Sequence, residues 1–285
     1  MGSAAARARR QGRPGVRVLQ QQLVEPRRPR RPNRPGRGKR ERVAQAARGG
    51  ARAGVMKVLA IVHGANTRSD LFADVIQRAG HELIEWNATL GNPPPPADAV
   101  VVFGGAMHPD QEADYPWLRD EDTLIRGYVD EGIPYLGVCL GGQLLAKAAN
   151  ARVHWAPEFE IGWHRVELTD AAREDPIFER LPRVFDAYQS HYHAFDVPEG
   201  AVELGRSAIC SQAFRLGERA WGIQFHPEVS LETIERWLAD DDEPRIDAEA
   251  IRAESRERIA AWNELGRTLC DAFLETAARE RAAAA

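Results

Sequence analysis

The chain has 285 residues, of which 44% are hydrophobic and 28% are charged, a balance that is ordinary for a globular protein with a sizeable core. No apolar run approaches the roughly 18 residues of a membrane helix, and the N-terminus lacks the apolar centre of a secretory signal. The three scattered cysteines exclude a disulfide framework and favour a reducing compartment, so a cytoplasmic protein is expected.

Residues 1–55 form a basic extension whose composition differs from the rest of the chain. They hold 16 Lys+Arg against two acidic residues, and they show no regular apolar period, so this segment is predicted to be disordered. Met56 opens an apolar run, and a working protein that starts there would explain the change in composition. The alternatives are a solvated tail and an arm that binds nucleic acid. No nucleic-acid partner is expected for the rest of the chain.

From Met56 onward, segments typical of strands and helices alternate. Strands are predicted at 58–62, 81–86, 99–103 and 134–138, and helices at about 69–80 and 117–132. The alternation predicts an α/β fold with an open, mostly parallel sheet and helices on both faces. Shorter strands are predicted at 165–168, 184–188 and 201–206, and a last core strand at 221–225. Residues 56–239 are interpreted as the domain and 240–285 as a helical C-terminal extension.

A cysteine follows the fourth predicted strand, within the sequence Gly137-Val138-Cys139-Leu140-Gly141-Gly142-Gln143. In open parallel sheets, functional sites lie at the edge where the carboxyl ends of the strands meet. The G-x-C-x-G spacing is typical of a nucleophile elbow, a tight strand-to-helix turn without room for neighbouring Cβ atoms. The helix N-terminus favours a thiolate. Cys139 is therefore the candidate nucleophile, and a buried structural cysteine is the alternative.

A base and an orienting carboxylate occur in the sequence Gln224-Phe225-His226-Pro227-Glu228. Residues two apart in an extended chain face the same side, so Glu228 can hold one ring nitrogen of His226 while the other faces Cys139. Nucleophile, base and carboxylate are then all present. The predicted oxyanion donors are the main-chain N–H groups of Gly105 and Leu140.

Together, Phe103-Gly104-Gly105, the segment 137–143 and the segment 224–228 resemble the landmark motifs of the class I glutamine amidotransferases. The closer similarity is to stand-alone members resembling the amidotransferase domain of guanosine monophosphate synthetase, and it covers about residues 56–239. The resemblance implies a flavodoxin-like fold and hydrolysis of glutamine, or of a γ-glutamyl relative, through a Cys139 thioester. It implies no cofactor and no metal. The candidate substrate contacts are Gly104, Gln143, Ser190, His191 and Tyr192.

Two departures from the family pattern leave the γ-glutamyl substrate open. Ala106 stands where members commonly have proline, and Tyr192-His193 where they commonly have an acidic residue. No synthetase domain follows Glu228, so a separate synthetase or acceptor subunit is expected to use the ammonia. The alternatives are a free-standing γ-glutamyl peptidase or hydrolase and a non-catalytic regulatory subunit. The remaining histidines lack metal-ligand spacing, although His63 and His108 follow strands and can line the cleft.

Overall fold

The computed structural model of the protein describes residues 54–284. Almost all of the predicted N-terminal extension, 1–55, lies outside the described residues, and its disorder stays a prediction. In the part of the chain that is described, no helix has both the length and the apolarity needed to cross a bilayer.

Strands and helices alternate in the first half of the domain. The strands of the described chain are β1 Lys57–Val62, β2 Glu82–Asn87, β3 Ala99–Val102, β4 Tyr135–Val138, β5 Val153–Leu168, β6 Val184–Phe195, β7 Val202–Arg206, β8 Ser211–Leu216 and β9 Ala220–Ile223. Its α-helices are α1 Asp70–Arg78, α2 Trp117–Asp130, α3 Leu140–Ala148, α4 Leu231–Asp240 and α5 Ala248–Ala284. Four consecutive strands, β5 to β8, therefore separate α3 from β9.

All of these strands belong to one sheet with the order β2-β1-β3-β4-β9-β8-β7-β5-β6. Its first five strands are parallel, and the other four continue it in antiparallel fashion. The predicted α/β fold is thus confirmed. Val138 of β4 pairs with Ile223 of β9. The segments that follow these two strands consequently leave the sheet side by side.

Helices cover both faces of the sheet, as predicted. One apolar cluster contains Phe72 of α1, Ile234 of α4 and Phe273 of α5. A second contains Ile125 of α2 and Leu144 of α3. Alternate residues of β1 enter opposite clusters, because successive side chains of a strand point to opposite faces. The sheet therefore lies between two cores.

The C-terminal helix α5 packs on the domain and belongs to the same compact unit as the sheet. Trp262 and Cys270 on this helix are buried. Gly266 passes so close to the main chain that a Cβ atom there would lie 2.1 Å from the carbonyl oxygen of Pro227. A glycine is therefore needed where α5 crosses the segment after β9.

The antiparallel strands depart most from the sequence-based expectations. β5 and β6 extend well beyond 165–168 and 184–188, and their pairing shifts register between Trp155 and Glu160. β8 was not predicted, because it contains the polar residue Gln212, which is fully buried. Its side-chain amide donates to Glu160 at 2.8 Å and accepts from Gln189 at 2.7 Å. Such internal hydrogen bonds leave no apolar pattern in the sequence.

Candidate active site

Cys139 occupies a strained turn between β4 and α3. Its backbone has φ 52° and ψ −108°, a left-handed conformation that non-glycine residues rarely adopt. A Cβ atom on Gly137 would lie 2.3 Å from the carbonyl oxygen of Gly141, and one on Gly141 would lie 2.2 Å from that of Val102. The flanking glycines are therefore sterically required. The Cys139 N–H donates to the carbonyl of Ile223 at 2.8 Å, which ties the turn to β9.

His226 and Glu228 lie just beyond β9, and both are buried. The Nδ1 atom of His226 is 2.8 Å from a carboxylate oxygen of Glu228. Nε2 has no hydrogen-bond partner among the described residues, so it is available for proton transfer. Burial lowers the pKa of His226, but the Glu228 carboxylate and the Cys139 thiolate raise it to about 10. The fold therefore favours the protonated form of the His226 ring, the form that it takes when it accepts a proton.

The double glycine Gly104-Gly105 follows β3, and its main chain lies against the side chains of Cys139 and His226. A Cβ atom on Gly104 would lie 3.1 Å from Cε1 of His226 and 4.0 Å from Sγ of Cys139. On Gly105 it would lie 2.7 Å from the Leu140 side chain. Leu140 begins α3, so its N–H has no acceptor within the helix. The two predicted oxyanion donors thus come from adjacent segments at the same edge of the sheet.

Gln143, a predicted substrate contact, is buried next to the elbow. Its side-chain amide donates to the carbonyl of His193 and to Oε1 of Gln224, both at 3.2 Å. Gln224 in turn donates to Sγ of Cys139 at 3.6 Å. Gln224 lies in the motif 224–228, but the sequence alone indicated no role for its side chain. In the fold, these two amides link the thiol to β6.

The three predicted contacts on β6 have different surroundings. The His191 side chain is buried, with Nε2 3.2 Å from Glu160, whereas Ser190 is partly exposed. The Tyr192 hydroxyl donates to Asp241 at 3.1 Å. The side chains of His191 and Tyr192 are therefore engaged within the protein, and a contact between the main chain of 190–192 and a substrate stays a prediction.

Glu160, His191 and Cys210 have ligand atoms within 4.8 Å of one another, close enough to hold a metal ion. Their spacing in the chain did not reveal this cluster, because they come from β5, β6 and the segment before β8. The same Glu160 oxygen accepts hydrogen bonds from Ser207 at 3.0 Å and from Gln212 at 2.8 Å. Burial and the Glu160 charge raise the pKa of Cys210 to about 12. The cluster is thus held together by hydrogen bonds around one carboxylate.

His63, which was expected to be able to line the cleft, is instead buried behind the double glycine with Glu121, a pairing that was not predicted. His63 follows β1 and contacts Glu121 of α2 at 2.9 Å and the carbonyl of Gly104 at 2.9 Å. The sequence offered one signal, a histidine directly after a buried strand. Glu121 gave none, since it reads as one of several charged residues on an amphipathic helix.

With this fold and this arrangement of side chains, the chain belongs to the glutamine amidotransferase class-I family, whose profile matches residues 75–241. The glutamine amidotransferase-like protein YfeJ of Salmonella typhimurium is 28% identical over 218 residues, which are 73% of this chain and 91% of the relative. A glutamine-hydrolyzing GMP synthase of Thermosipho melanesiensis is 29% identical over 180 residues, which are 61% of this chain and only 33% of that enzyme.

Solved structures show the same fold. A glutamine amidotransferase from Thermotoga maritima superposes with a TM-score of 0.72 at 29% identity, over 78% of this chain and 99% of that one. A glutamine amidotransferase from Methylobacillus flagellatus gives a TM-score of 0.71 at 26% identity, over 78% and 96% of the two chains. The family and the fold predicted from the sequence motifs are confirmed.

Proposed function

We propose that the protein hydrolyses the side-chain amide of glutamine, or of a γ-glutamyl relative, through a thioester on Cys139. The observation that carries this proposal is the convergence of Cys139, His226 and the double glycine where β3, β4 and β9 end. A thiol at the start of a helix, next to an imidazole held by a carboxylate, is a competent nucleophile. Membership of the family supports the amidotransferase or amidohydrolase class of reaction.

In the first half-reaction, Cys139 gives its proton to Nε2 of His226, and the thiolate adds to the γ-carbonyl carbon. The negative charge that forms on the carbonyl oxygen accepts hydrogen bonds from the N–H groups of Gly105 and Leu140. His226 then donates its proton to the amide nitrogen, the C–N bond breaks and ammonia leaves. A γ-glutamyl thioester remains on the enzyme.

In the second half-reaction, His226 removes a proton from water, and the hydroxide adds to the thioester carbon. The C–S bond breaks, glutamate leaves and the sulfur recovers its proton from the imidazolium. Glu228 orients the ring in both half-reactions. Its hydrogen bond to Nδ1 holds the ring so that Nε2 faces the thiol.

The test is to incubate the protein with glutamine and to measure glutamate and ammonia in equal amounts. Acid quenching during turnover should trap a γ-glutamyl group on the peptide that contains Cys139. Turnover by Cys139→Ala, or a trapped group on another peptide, would contradict the proposal. A protein that binds glutamine without turnover or adduct would support the regulatory-subunit alternative.

We further propose that the ammonia serves a separate synthetase or acceptor subunit. The support is that this chain is similar to a GMP synthase named as glutamine-hydrolyzing, over 33% of the length of that enzyme. Family enzymes of this kind are expected to turn over slowly until a partner orders their site. A native pull-down that recovers a synthetase, and an acceleration of glutamine hydrolysis by that synthetase, would support this role. Fast, partner-independent turnover would contradict it.

A second candidate, a free-standing γ-glutamyl peptidase, is favoured by an exposed aromatic surface beside Gln143. Trp155 is 67% exposed, and its ring lies 4.3 Å from that of His193, whose carbonyl accepts from Gln143. An aromatic surface could contact the second residue of a γ-glutamyl peptide. A kcat/KM for γ-glutamyl dipeptides well above that for glutamine would establish this candidate over the ammonia donor.

A further inference from the structure

His63 is a buried histidine whose two ring nitrogens are both engaged by the protein. Nδ1 lies 2.9 Å from the carbonyl oxygen of Gly104. Nε2 lies 2.9 and 3.1 Å from the two carboxylate oxygens of Glu121. The side chains of His63 and Glu121 are 0% and 1% exposed, and the imidazole stacks on Trp117 with ring centroids 5.4 Å apart. No step of the proposed reaction uses this pair directly.

The two partners determine the protonation state of the His63 ring. A main-chain carbonyl only accepts hydrogen bonds, so Nδ1 must carry a proton to donate to Gly104. The contact of Nε2 with Glu121 also needs one shared proton, because a carboxylate oxygen and an unprotonated ring nitrogen both only accept. Burial lowers the pKa of His63, but Glu121 and the nearby main-chain groups raise it above its ordinary value. The raised pKa favours the protonated ring of His63, and Nδ1 donates to Gly104 whichever partner carries the proton between Nε2 and Glu121.

The carbonyl that His63 holds belongs to the same peptide unit as the N–H of Gly105. In a planar trans peptide these two groups point in opposite directions. A carbonyl fixed toward His63 therefore directs the N–H to the opposite side. Among the described residues, no acceptor takes the Gly105 N–H. A Cβ atom on Gly104 would lie 3.6 Å from that of Cys139, so this peptide unit borders the thiol.

We infer that His63 and Glu121 are positioning residues that fix the Gly104–Gly105 peptide, so that its N–H is preset to receive the oxyanion. This inference rests on the proposed function. The hydrogen bond that His63 donates to the carbonyl also polarises the peptide, which makes its N–H a stronger donor. The benefit falls on the transition state, because the γ-carbonyl oxygen becomes charged only as the thiolate adds. Neither side chain is placed to touch the substrate.

The experiment compares two double variants in which the buried carboxylate has been neutralised. Both carry Glu121→Gln; one also carries His63→Asn and the other His63→Leu. Asparagine places an amide nitrogen at the same bond position as Nδ1, whereas leucine has nearly the same shape and no donor. The two proteins therefore differ in their ability to hydrogen-bond the carbonyl of Gly104. Thermal unfolding checks that both are folded.

We expect the leucine variant to hydrolyse glutamine with a kcat ~10- to 100-fold below that of the asparagine variant, with KM within about threefold. Alkylation of Cys139 by iodoacetamide should proceed at the same rate in both, because attack on an alkyl halide forms no oxyanion. A merely structural role of His63 would slow both reactions. Equal kcat values, or a difference confined to KM, would overturn the inference.

A measurement on the unmodified protein covers the case in which the leucine variant does not fold. The ¹⁵N NMR spectrum of the His63 ring should show a proton on Nδ1 at neutral pH, and an unprotonated Nδ1 would overturn the inference. The proposed function fails differently: unmodified protein, with His63 and Glu121 in place, would then form no thioester on Cys139.

Discussion

Trp262, on the C-terminal helix α5, donates its indole N–H to the main-chain carbonyl of His226 at 2.9 Å. The next residue, Asn263, donates to the carbonyl of Val229 at 3.0 Å. Together with Gly266, which allows α5 to cross Pro227 closely, these contacts fix the main chain of the candidate base. The helix predicted as an extension therefore supports the site directly.

Trp262→Phe should lower both stability and kcat, because the carbonyl of His226 would lose its buried partner while the aromatic packing largely remains. An unsatisfied buried carbonyl costs about 1–3 kcal/mol in the free energy of unfolding, and urea denaturation would measure it. The matched control is Trp155→Phe at a position that is 67% exposed, where a change within about 0.5 kcal/mol is expected. Equal effects of the two substitutions would show that the contact with His226 contributes nothing.

Gly141→Ala should prevent the elbow from forming, since its Cβ would lie 2.2 Å from the carbonyl oxygen of Val102. An overpacking substitution commonly lowers the free energy of unfolding by ~1–3 kcal/mol. We expect Gly141→Ala to cost at least this much, or to prevent folding altogether. Gly127→Ala on α2 is the control, because its Cβ would meet nothing within 4 Å. That change should stabilise the helix by up to ~1 kcal/mol. A Gly141→Ala protein with normal thermal stability would contradict the close packing at the elbow.

The three proposed catalytic residues should contribute different amounts to kcat. Cys139→Ala and His226→Ala should each lower kcat by at least ~10³-fold, whereas Glu228→Ala, which removes only the orienting carboxylate, should cost less. Steady-state glutamine hydrolysis measures all three. A Cys139→Ala protein with normal turnover would reject the mechanism, and a larger loss at Glu228 than at His226 would reject the assigned roles.

Cys139 should be the thiol that alkylates first. Burial raises the pKa of Cys270, and burial together with the Glu160 charge raises that of Cys210 to about 12, so both stay protonated. Cys139 has His226 beside it to take its proton, and thiolates are the reactive form. Peptide mapping after limited iodoacetamide treatment should find the label on Cys139, and glutamine should slow its addition. Label found first on Cys210 would contradict this assignment.

The free energy of unfolding should depend on pH because His226 gains or loses a proton. Burial lowers the pKa of this residue, but Glu228 and Cys139 raise it in the fold to about 10 from an ordinary 6.5. Its contribution is therefore fully present below pH ~6.5, and it is lost as the pH rises toward about 10, because the unfolded chain releases the proton first.

Chemical denaturation across this pH range would test the dependence on His226. The free energy of unfolding of the unmodified protein should fall relative to that of His226→Gln by up to about 1.4 kcal/mol per pH unit, the limit for one proton. Parallel pH profiles for the two proteins would contradict a raised pKa in the fold.

The parallel half of the fold could be predicted from the sequence because its strands are continuous apolar runs. Val58, Val101 and Leu136 are fully buried, and strands covered on both faces carry such runs. The elbow was also predictable from local sequence, because a tight turn leaves no room for Cβ atoms and so requires glycines at fixed spacing around the cysteine. The nine-residue helix that follows Cys139 begins where this turn requires.

The antiparallel half and the support of the site were harder to predict. Gln212 is buried, but its hydrogen bonds come from Gln189 and Glu160 on distant strands, and local sequence cannot show such partners. The same applies to Glu121, whose partner His63 is 58 residues away in the chain. In each case a polar residue typical of a surface is compensated in the interior by the tertiary fold.

The order of the strands also determines when the cysteine becomes reactive. β4, which carries Cys139, pairs with β9, but the chain builds four other strands between them. Gln224 contacts the thiol from 85 residues further along the chain, and contacts of such separation form late in folding. A chain emerging from the ribosome therefore exposes Cys139 well before its base is synthesised. The thiol should remain an ordinary, weakly nucleophilic one until the last core strand is in place.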